Sequence, residues 1–228
     1  MKDWQKYAIN SFSKEEFYEF PAFIKEADTD FERYSSYDRF VWDTLERCGC
    51  IAVATLSMLF KPRLIVEMGV NLGWTSLLLC KLNPEARVLG VDISGKMQNG
   101  KFPYLPTGYA AFMNNCQNYS LTIGNSYDFE ISDSVGLCFI DACHFLPEVE
   151  LDTRRAWENR NTKGDWCIAW DDYHENNPDV FNTVNTFVKE VGMPLQKIAS
   201  WYFIGSKEIS EEDLSNISLE GVVNNQLI

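Results

Sequence analysis

The chain has 228 residues, enough for one well-buried domain and too few for two comfortable ones. With 46% hydrophobic and 23% charged residues it has a globular composition, and no apolar run approaches the ~20 residues of a membrane span. A net charge of −13 without any Lys/Arg cluster excludes a surface for nucleic acid or anionic membrane, and favours a small neutral or cationic substrate.

The start, Met1-Lys2-Asp3-Trp4-Gln5-Lys6, lacks the apolar core of a signal peptide. Seven cysteines (Cys48, Cys50, Cys80, Cys116, Cys138, Cys143, Cys167) are an odd number without a C-x-x-C pair. Cys80, Cys138 and Cys167 sit in apolar runs, as small core residues do. Both features predict a reducing, cytoplasmic setting. Residues 1–60 read as a mostly helical extension, with Ser13-Lys14-Glu15-Glu16 matching a capping box and further helices over Asp38 to Leu45 and Ile51 to Phe60. Twelve of the 32 aromatics precede residue 43. Phe17, Phe20 and Phe23 have the spacing of a packed helix face, and Tyr34, Tyr37 and Trp42 are either core or the lining of a substrate entrance.

Leu64 to Met68 is a short apolar run that ends at two glycines, and Thr75-Ser76-Leu77-Leu78-Leu79 then starts a helix that Asn83-Pro84 closes. Strand, tight turn and helix make a cofactor cradle: glycine lets backbone approach a ligand closely, and the helix start presents N–H groups to an anionic portion of it. Val88 to Asp92 is a second strand that ends in an acid about 20 residues beyond the turn, where a carboxylate accepts two ribose hydroxyls. Asp92 serves S-adenosylmethionine (SAM) and NAD equally well, and a capping role for it also stays open. Residues 95–120 read as a loop with a short helix over Tyr109 to Asn115, an insertion placed to fold over the active site.

Leu121-Thr122-Ile123 is a third strand followed by Gly124-Asn125-Ser126, and Val135 to Asp141 is a fourth. Pro147, at an N1 position, opens a helix to about Glu158. Trp166 to Asp172 is the fifth strand and its exit. An amphipathic helix starts at Asn177-Pro178 with Phe181, Val184, Val188 and Val191 on one face, and Gln196 to Ala199 with Trp201 to Gly205 forms a closing hairpin. This alternation predicts an α/β fold, a doubly wound, mostly parallel seven-stranded Rossmann-like sheet with a reversed final strand. The expected organisation is an extension over 1–60, a cofactor-binding domain over 61–206 and a tail over 207–228. That tail carries five acids and one base, and is either partly disordered or a short helix over Ser210 to Leu214 capped by Ser210.

In an open α/β sheet, ligands gather at the carboxyl ends of the strands. Glu67, Asp92, Asp141 and Asp171-Asp172 all end strands at that edge. Clustered carboxylates repel one another unless a cation or cofactor lies among them. With Glu67 and Asp92 assigned to the cofactor, Asp141, Asp171 and Asp172 suit a hard divalent ion such as Mg²⁺, although a solvated loop also accounts for the pair. The chain's two histidines, His144 and His174, each follow one of these acids, which suits proton transfer near neutrality.

Glu67-x-Gly69-x-x-x-Gly73 resembles the first motif of class I SAM-dependent methyltransferases, in the variant of the catechol and macrocin type O-methyltransferases. The resemblance implies that Gly69 and Gly73 line SAM, Asn71 and Thr75 hold its amino-acid end, Glu67 fixes the turn, and Asn125 and Ser126 meet the adenine. Phe139-Ile140-Asp141-x-x-His144, followed by a strand and Asp171-Asp172-Tyr173, resembles the metal-dependent macrocin group. By that resemblance Asp141, Asp171 and Asp172 bind Mg²⁺ and His144 is the catalytic base, over about residues 60–205. Ala142-Cys143 departs from the family's usual glycine and second acid. The acceptor is then a small-molecule hydroxyl on a sugar, phenol or natural product, and a homo-oligomer is compatible with the sequence. The rival readings are a metal-independent SAM methyltransferase on N, C or O, a non-catalytic binding module, and an NAD-dependent oxidoreductase. The last is disfavoured because the turn lacks the G-x-G pair that brings pyrophosphate onto backbone.

Overall fold

The computed structural model describes residues 47–95, 106–108, 111, 112, 115–128, 130, 131, 134–198 and 201–215. The capping box at Ser13, the aromatic groups before residue 43, the helix over Asp38 to Leu45 and most of the 95–120 insertion lie outside the described residues. The chain divides into two compact units, residues 52–209 and residues 1–51 with 210–228.

Five strands run parallel, paired side by side. β1 (Leu64–Met68), β4 (Leu137–Ile140) and β5 (Cys167–Trp170) are buried at every position. That pattern belongs to strands covered on both faces. β2 (Arg87–Asp92) and β3 (Tyr119–Ile123) lie outward from β1, and β6 (Gln196–Ile198) with β7 (Trp201–Gly205) lies beyond β5, in the order β3-β2-β1-β4-β5-β7-β6. β7 is antiparallel to both β5 and β6, so the reversed strand is inserted one place inside the edge.

Helix α1 (Arg47–Phe60) precedes β1, α2 (Trp74–Leu82) follows it, α3 (Glu148–Glu158) follows β4, and α4 (Pro178–Val191) follows β5. One core joins Val66, Met68, Ile140, Ile168 and Trp170 of the sheet to Val149 of α3 and to Val184 and Phe187 of α4. Trp157 of α3 packs edge-on against Phe187 at 5.6 Å between ring centroids, and Arg154 reaches across to Glu190 with two hydrogen bonds of 3.1 Å. A short α5 (Glu211–Ser215) begins at Ser210, whose hydroxyl accepts the Asp213 N–H at 3.1 Å while Asp213 returns a carboxylate to the Ser210 N–H at 2.9 Å. This is a reciprocal capping box.

The structure corrects three local expectations. β3 begins at Tyr119, two residues earlier than its apolar core suggests, because it pairs in full with β2 from Val88↔Tyr119 to Asp92↔Ile123. Pro147 takes the N-cap position of α3, one place before N1. The buried face of α4 is Val180, Thr183, Val184, Phe187 and Val188. Phe181 turns away from that face to cover the exit of β5, where its ring lies 5.0 Å from that of Tyr173. Among the described residues no helix is long and apolar enough to cross a membrane, and Cys80, Cys116, Cys138, Cys143 and Cys167 are free thiols.

Candidate active site

The glycine turn is held by the neighbouring strands' ends. Gly69 (φ +85°) donates its N–H to the Val91 carbonyl at 2.8 Å, and a Cβ on it would lie 1.9 Å from the carbonyl oxygen of Asp141. No other residue type fits there. Asn71 adopts φ 52° and Gly73, the N-cap of α2, adopts φ 79°. A Cβ on Gly73 would meet the Gly108 Cα at 2.8 Å, and the Gly108 N–H donates to the Asn71 carbonyl at 2.8 Å, so residues 106–108 lie directly over the turn.

Two acids brace this turn from below and beside it. Glu67, 1% exposed, accepts a short hydrogen bond from the Ser76 hydroxyl in the first turn of α2. Burial pushes its carboxyl up to about 8. Asp92 accepts the Val70 and Asn71 N–H groups on Oδ2 at 2.9 and 3.1 Å, and the Ser94 N–H on Oδ1 at 3.0 Å. Both lone pairs of Oδ2 are engaged and Oδ1 keeps one, so Asp92 caps the turn and still has an acceptor position for a ligand. Thr75 is half-buried in the first turn of α2.

On β3's exit, the Gly124 N–H donates to the Asp92 carbonyl at 2.9 Å. The Asn125 amide is tied to Asp128 at 3.0 Å, and the Ser126 hydroxyl donates a short hydrogen bond to Asp152. Asp152 is a buried acid on α3 that sequence reasoning does not single out. Its signal is an Asp on the buried face that also carries Val149, Thr153 and Ala156.

At the far edge, β4 and β5 deliver the second group of residues. The Asp141 N–H donates to the Met68 carbonyl at 2.7 Å and the Asp171 N–H to the Ile140 carbonyl at 2.9 Å, so the two acids step along adjacent strand ends. Ligand atoms of Asp141, His144 and Asp171 all lie within 4.8 Å of one another. Burial, with the Asp141 carboxylate beside it, pushes Asp171 up to about 8. Two carboxyls in that relation call for a proton or a cation between them. His144 Nε2 lies 3.7 Å from Asp141 Oδ1, buried and without a hydrogen-bond partner, and its Nδ1 lies 3.2 Å from Asp172 Oδ2. The expected trio of Asp141, Asp171 and Asp172 is thus rearranged. A left-handed backbone at Asp172 (φ 54°) turns its carboxylate onto His144, with His174 Nε2 3.6 Å from the other oxygen. Tyr173 anchors this exit, its hydroxyl donating to Asn185 at 3.0 Å and its ring 4.5 Å from that of Tyr202. The oxygen pair of Asp141 and Asp171 fits a hard divalent cation, and the unpartnered imidazole nitrogen lies beside it with its lone pair unused. Cys143 is half-buried between Asp141 and His144. Phe145, next in the chain, is 70% exposed and gives the edge an apolar rim.

The family model for rhamnosyl O-methyltransferases and CmcI matches residues 50–212. No curated protein matches the chain significantly. The solved calicheamicin methyltransferase CalS11 superposes with a TM-score of 0.54 at 14% identity, covering 73% of this chain and 80% of that one. A Staphylococcus aureus protein assigned as a caffeoyl-CoA O-methyltransferase superposes with a TM-score of 0.55 at 12% identity, covering 81% of this chain and 95% of that one. At such identities the likeness speaks for the fold, and it is the Rossmann-like class I methyltransferase fold. Matched over most of its length, the chain belongs to the rhamnosyl O-methyltransferase/CmcI family.

Proposed function

We propose that the protein is a SAM-dependent O-methyltransferase that methylates a hydroxyl of a small molecule with the help of a divalent cation such as Mg²⁺. The observation that carries the reading is the Asp141, His144 and Asp171 cluster, whose ligand atoms lie within 4.8 Å of one another, built onto the strand end that touches Gly69. When bound, SAM supplies an electrophilic methyl group and the cation lowers the pKa of a chelated hydroxyl. Gly69 and Gly73 line the donor, Asn71 and Thr75 hold its amino-acid end, Glu67 secures the turn, Asp92 accepts the ribose hydroxyls, and Asn125 and Ser126 meet the adenine. Asp141 and Asp171 hold the cation, with Asp172 beside them.

His144 is the base. With Nδ1 facing the Asp172 carboxylate at 3.2 Å, its proton is held on Nδ1 and the Nε2 lone pair is left to take the proton of the attacking hydroxyl. Orientation of acceptor and donor across the short gap between the turn and the acids supplies the rest of the acceleration. The functional domain is the stretch 61–206. CalS11 is a TDP-rhamnose 3'-O-methyltransferase, so nucleotide-linked deoxysugars are the first acceptors to try, followed by catechols.

The same Asp172–His144 pair favours one second reading, a metal-independent methyltransferase that relies on the imidazole alone. Transfer of a labelled methyl group from SAM to a panel of sugar and phenol hydroxyls tests the main reading, and the dependence on Mg²⁺ separates the two. Absence of transfer to every hydroxyl, with transfer to amines or carbon acids instead, refutes O-methylation.

A further inference from the structure

Asp152 is a carboxyl where a core position would ordinarily be apolar. The residue is 0% exposed, on the face of α3 that also buries Val149, Thr153 and Ala156. Its Oδ1 accepts the hydrogen bond from Ser126 Oγ, and its Oδ2 is buried without a partner. Keeping a half-satisfied acid in the interior costs stability, and complete burial shuts it off from direct contact with a ligand. What it acts on is Ser126.

A serine hydroxyl has one hydrogen to donate and two lone pairs to accept with, and by itself it fits either kind of partner. A carboxylate only accepts. Burial pushes Asp152 up to about 6, so at pH 8 it is ionised and the Ser126 hydrogen is committed to it. What Ser126 then presents to a ligand is a lone pair. Its position matters too. The loop carrying it starts where Gly124 bonds to the Asp92 carbonyl at 2.9 Å, and Ile93, 65% exposed next to Asp92, offers an apolar face for a flat ring. On the reading of Asp92 as the ribose acceptor, this loop is the one that meets the base.

We propose that Asp152 is a positioning residue that fixes the Ser126 hydroxyl as a hydrogen-bond acceptor, making the cofactor site select a 6-amino purine, which donates there, over a 6-oxo purine. The inference rests on the reading of the glycine turn as a SAM site, and deepens it.

Titration calorimetry at pH 8 with S-adenosylhomocysteine and S-inosylhomocysteine tests it on the wild type, Asp152→Leu, Ser126→Ala and the double variant. The wild type is expected to favour the adenosyl ligand by about tenfold or more, the effect of mismatching a partly buried hydrogen bond. Each single variant is expected to reduce that ratio to about threefold or less, and the double variant to reduce it no further, because one residue acts through the other. If Asp152 merely anchors the loop, Asp152→Leu weakens both ligands equally, and an unchanged ratio overturns the proposal. Should Asp152→Leu fail to fold, Ser126→Ala decides alone, and an unchanged ratio there is equally fatal. Wild-type protein that binds neither ligand overturns the cofactor reading and this inference with it, whereas tight adenosyl binding with an unaltered ratio overturns this inference only.

Discussion

Gly69 and Asp141 share one point in space: the hydrogen on the Gly69 Cα points where a Cβ would come within 1.9 Å of the Asp141 carbonyl oxygen. The bond from the Asp141 N–H to the Met68 carbonyl, 2.7 Å, holds the two chain segments in that apposition. Donor turn and acidic edge are therefore one piece of backbone architecture.

Gly69→Ala tests that unity. The added methyl meets backbone, which cannot swing aside, and φ +85° is itself strained for alanine. A loss of roughly 1–3 kcal/mol, a melting temperature lower by about 5 °C, is expected together with loss of S-adenosylhomocysteine binding and of turnover. A variant that melts and turns over like the wild type contradicts the packing described.

His144→Ala separates binding from chemistry. The imidazole lies on the acidic edge beside Asp141 and Asp172. Turnover is expected to fall by about 10²–10⁴-fold, the usual worth of a positioned general base, with affinity for S-adenosylhomocysteine changed by no more than about threefold. Steady-state kinetics and calorimetry read the two quantities, and undiminished turnover removes His144 from the mechanism.

Chelation addresses the cation. Dialysis against EDTA is expected to abolish turnover, and added Mg²⁺ to restore it, in wild type but not in Asp141→Ala or Asp171→Asn. Full activity in excess chelator leaves the metal-independent reading standing and the Asp172–His144 pair as its catalytic unit.

Glu67 makes stability depend on pH. Its carboxyl goes from an ordinary 4.5 to about 8 in the folded protein, mainly through burial. The folded state keeps a proton that the unfolded chain gives up. The stabilisation is complete below about 4.5 and is lost as pH rises through 8, with a slope of at most about 1.4 kcal/mol per unit between them. Glu67→Gln imitates the protonated acid without titrating. Urea unfolding at pH 5 to 8 is expected to show the variant gaining on the wild type as pH rises, and parallel profiles rule out this role.

Much of the fold is legible in the sequence because central strands buried on both faces are mostly apolar: Leu64 to Met68, with Glu67 its one acid, and Cys167 to Trp170 announce themselves. The acids and histidines at the strand ends are equally visible, since topology alone brings the carboxyl ends of β1, β2, β4 and β5 to one edge. What stays hidden depends on tertiary geometry. Nothing local distinguishes Asp171, which joins Asp141 and His144, from Asp172, which a left-handed backbone turns toward His144. The pairing of Ser126 with Asp152 spans 26 residues and two elements, and Ser76 reaches Glu67 only once α2 has folded back over β1. Phe181 carries the periodicity of a core residue, yet it serves as a cover for Tyr173.

The hydrogen bonds of Thr107 and Gly108 reach both the end of β2 and the turn that follows β1. The Thr107 N–H and hydroxyl donate to the carbonyls of Gly95 and Ser94 at 3.2 and 2.7 Å, while the Gly108 N–H donates to Asn71 at 2.8 Å. Thr107 and Gly108 thus fasten the exit of β2 to the glycine turn, so a substitution that loosens one is expected to be felt at the other.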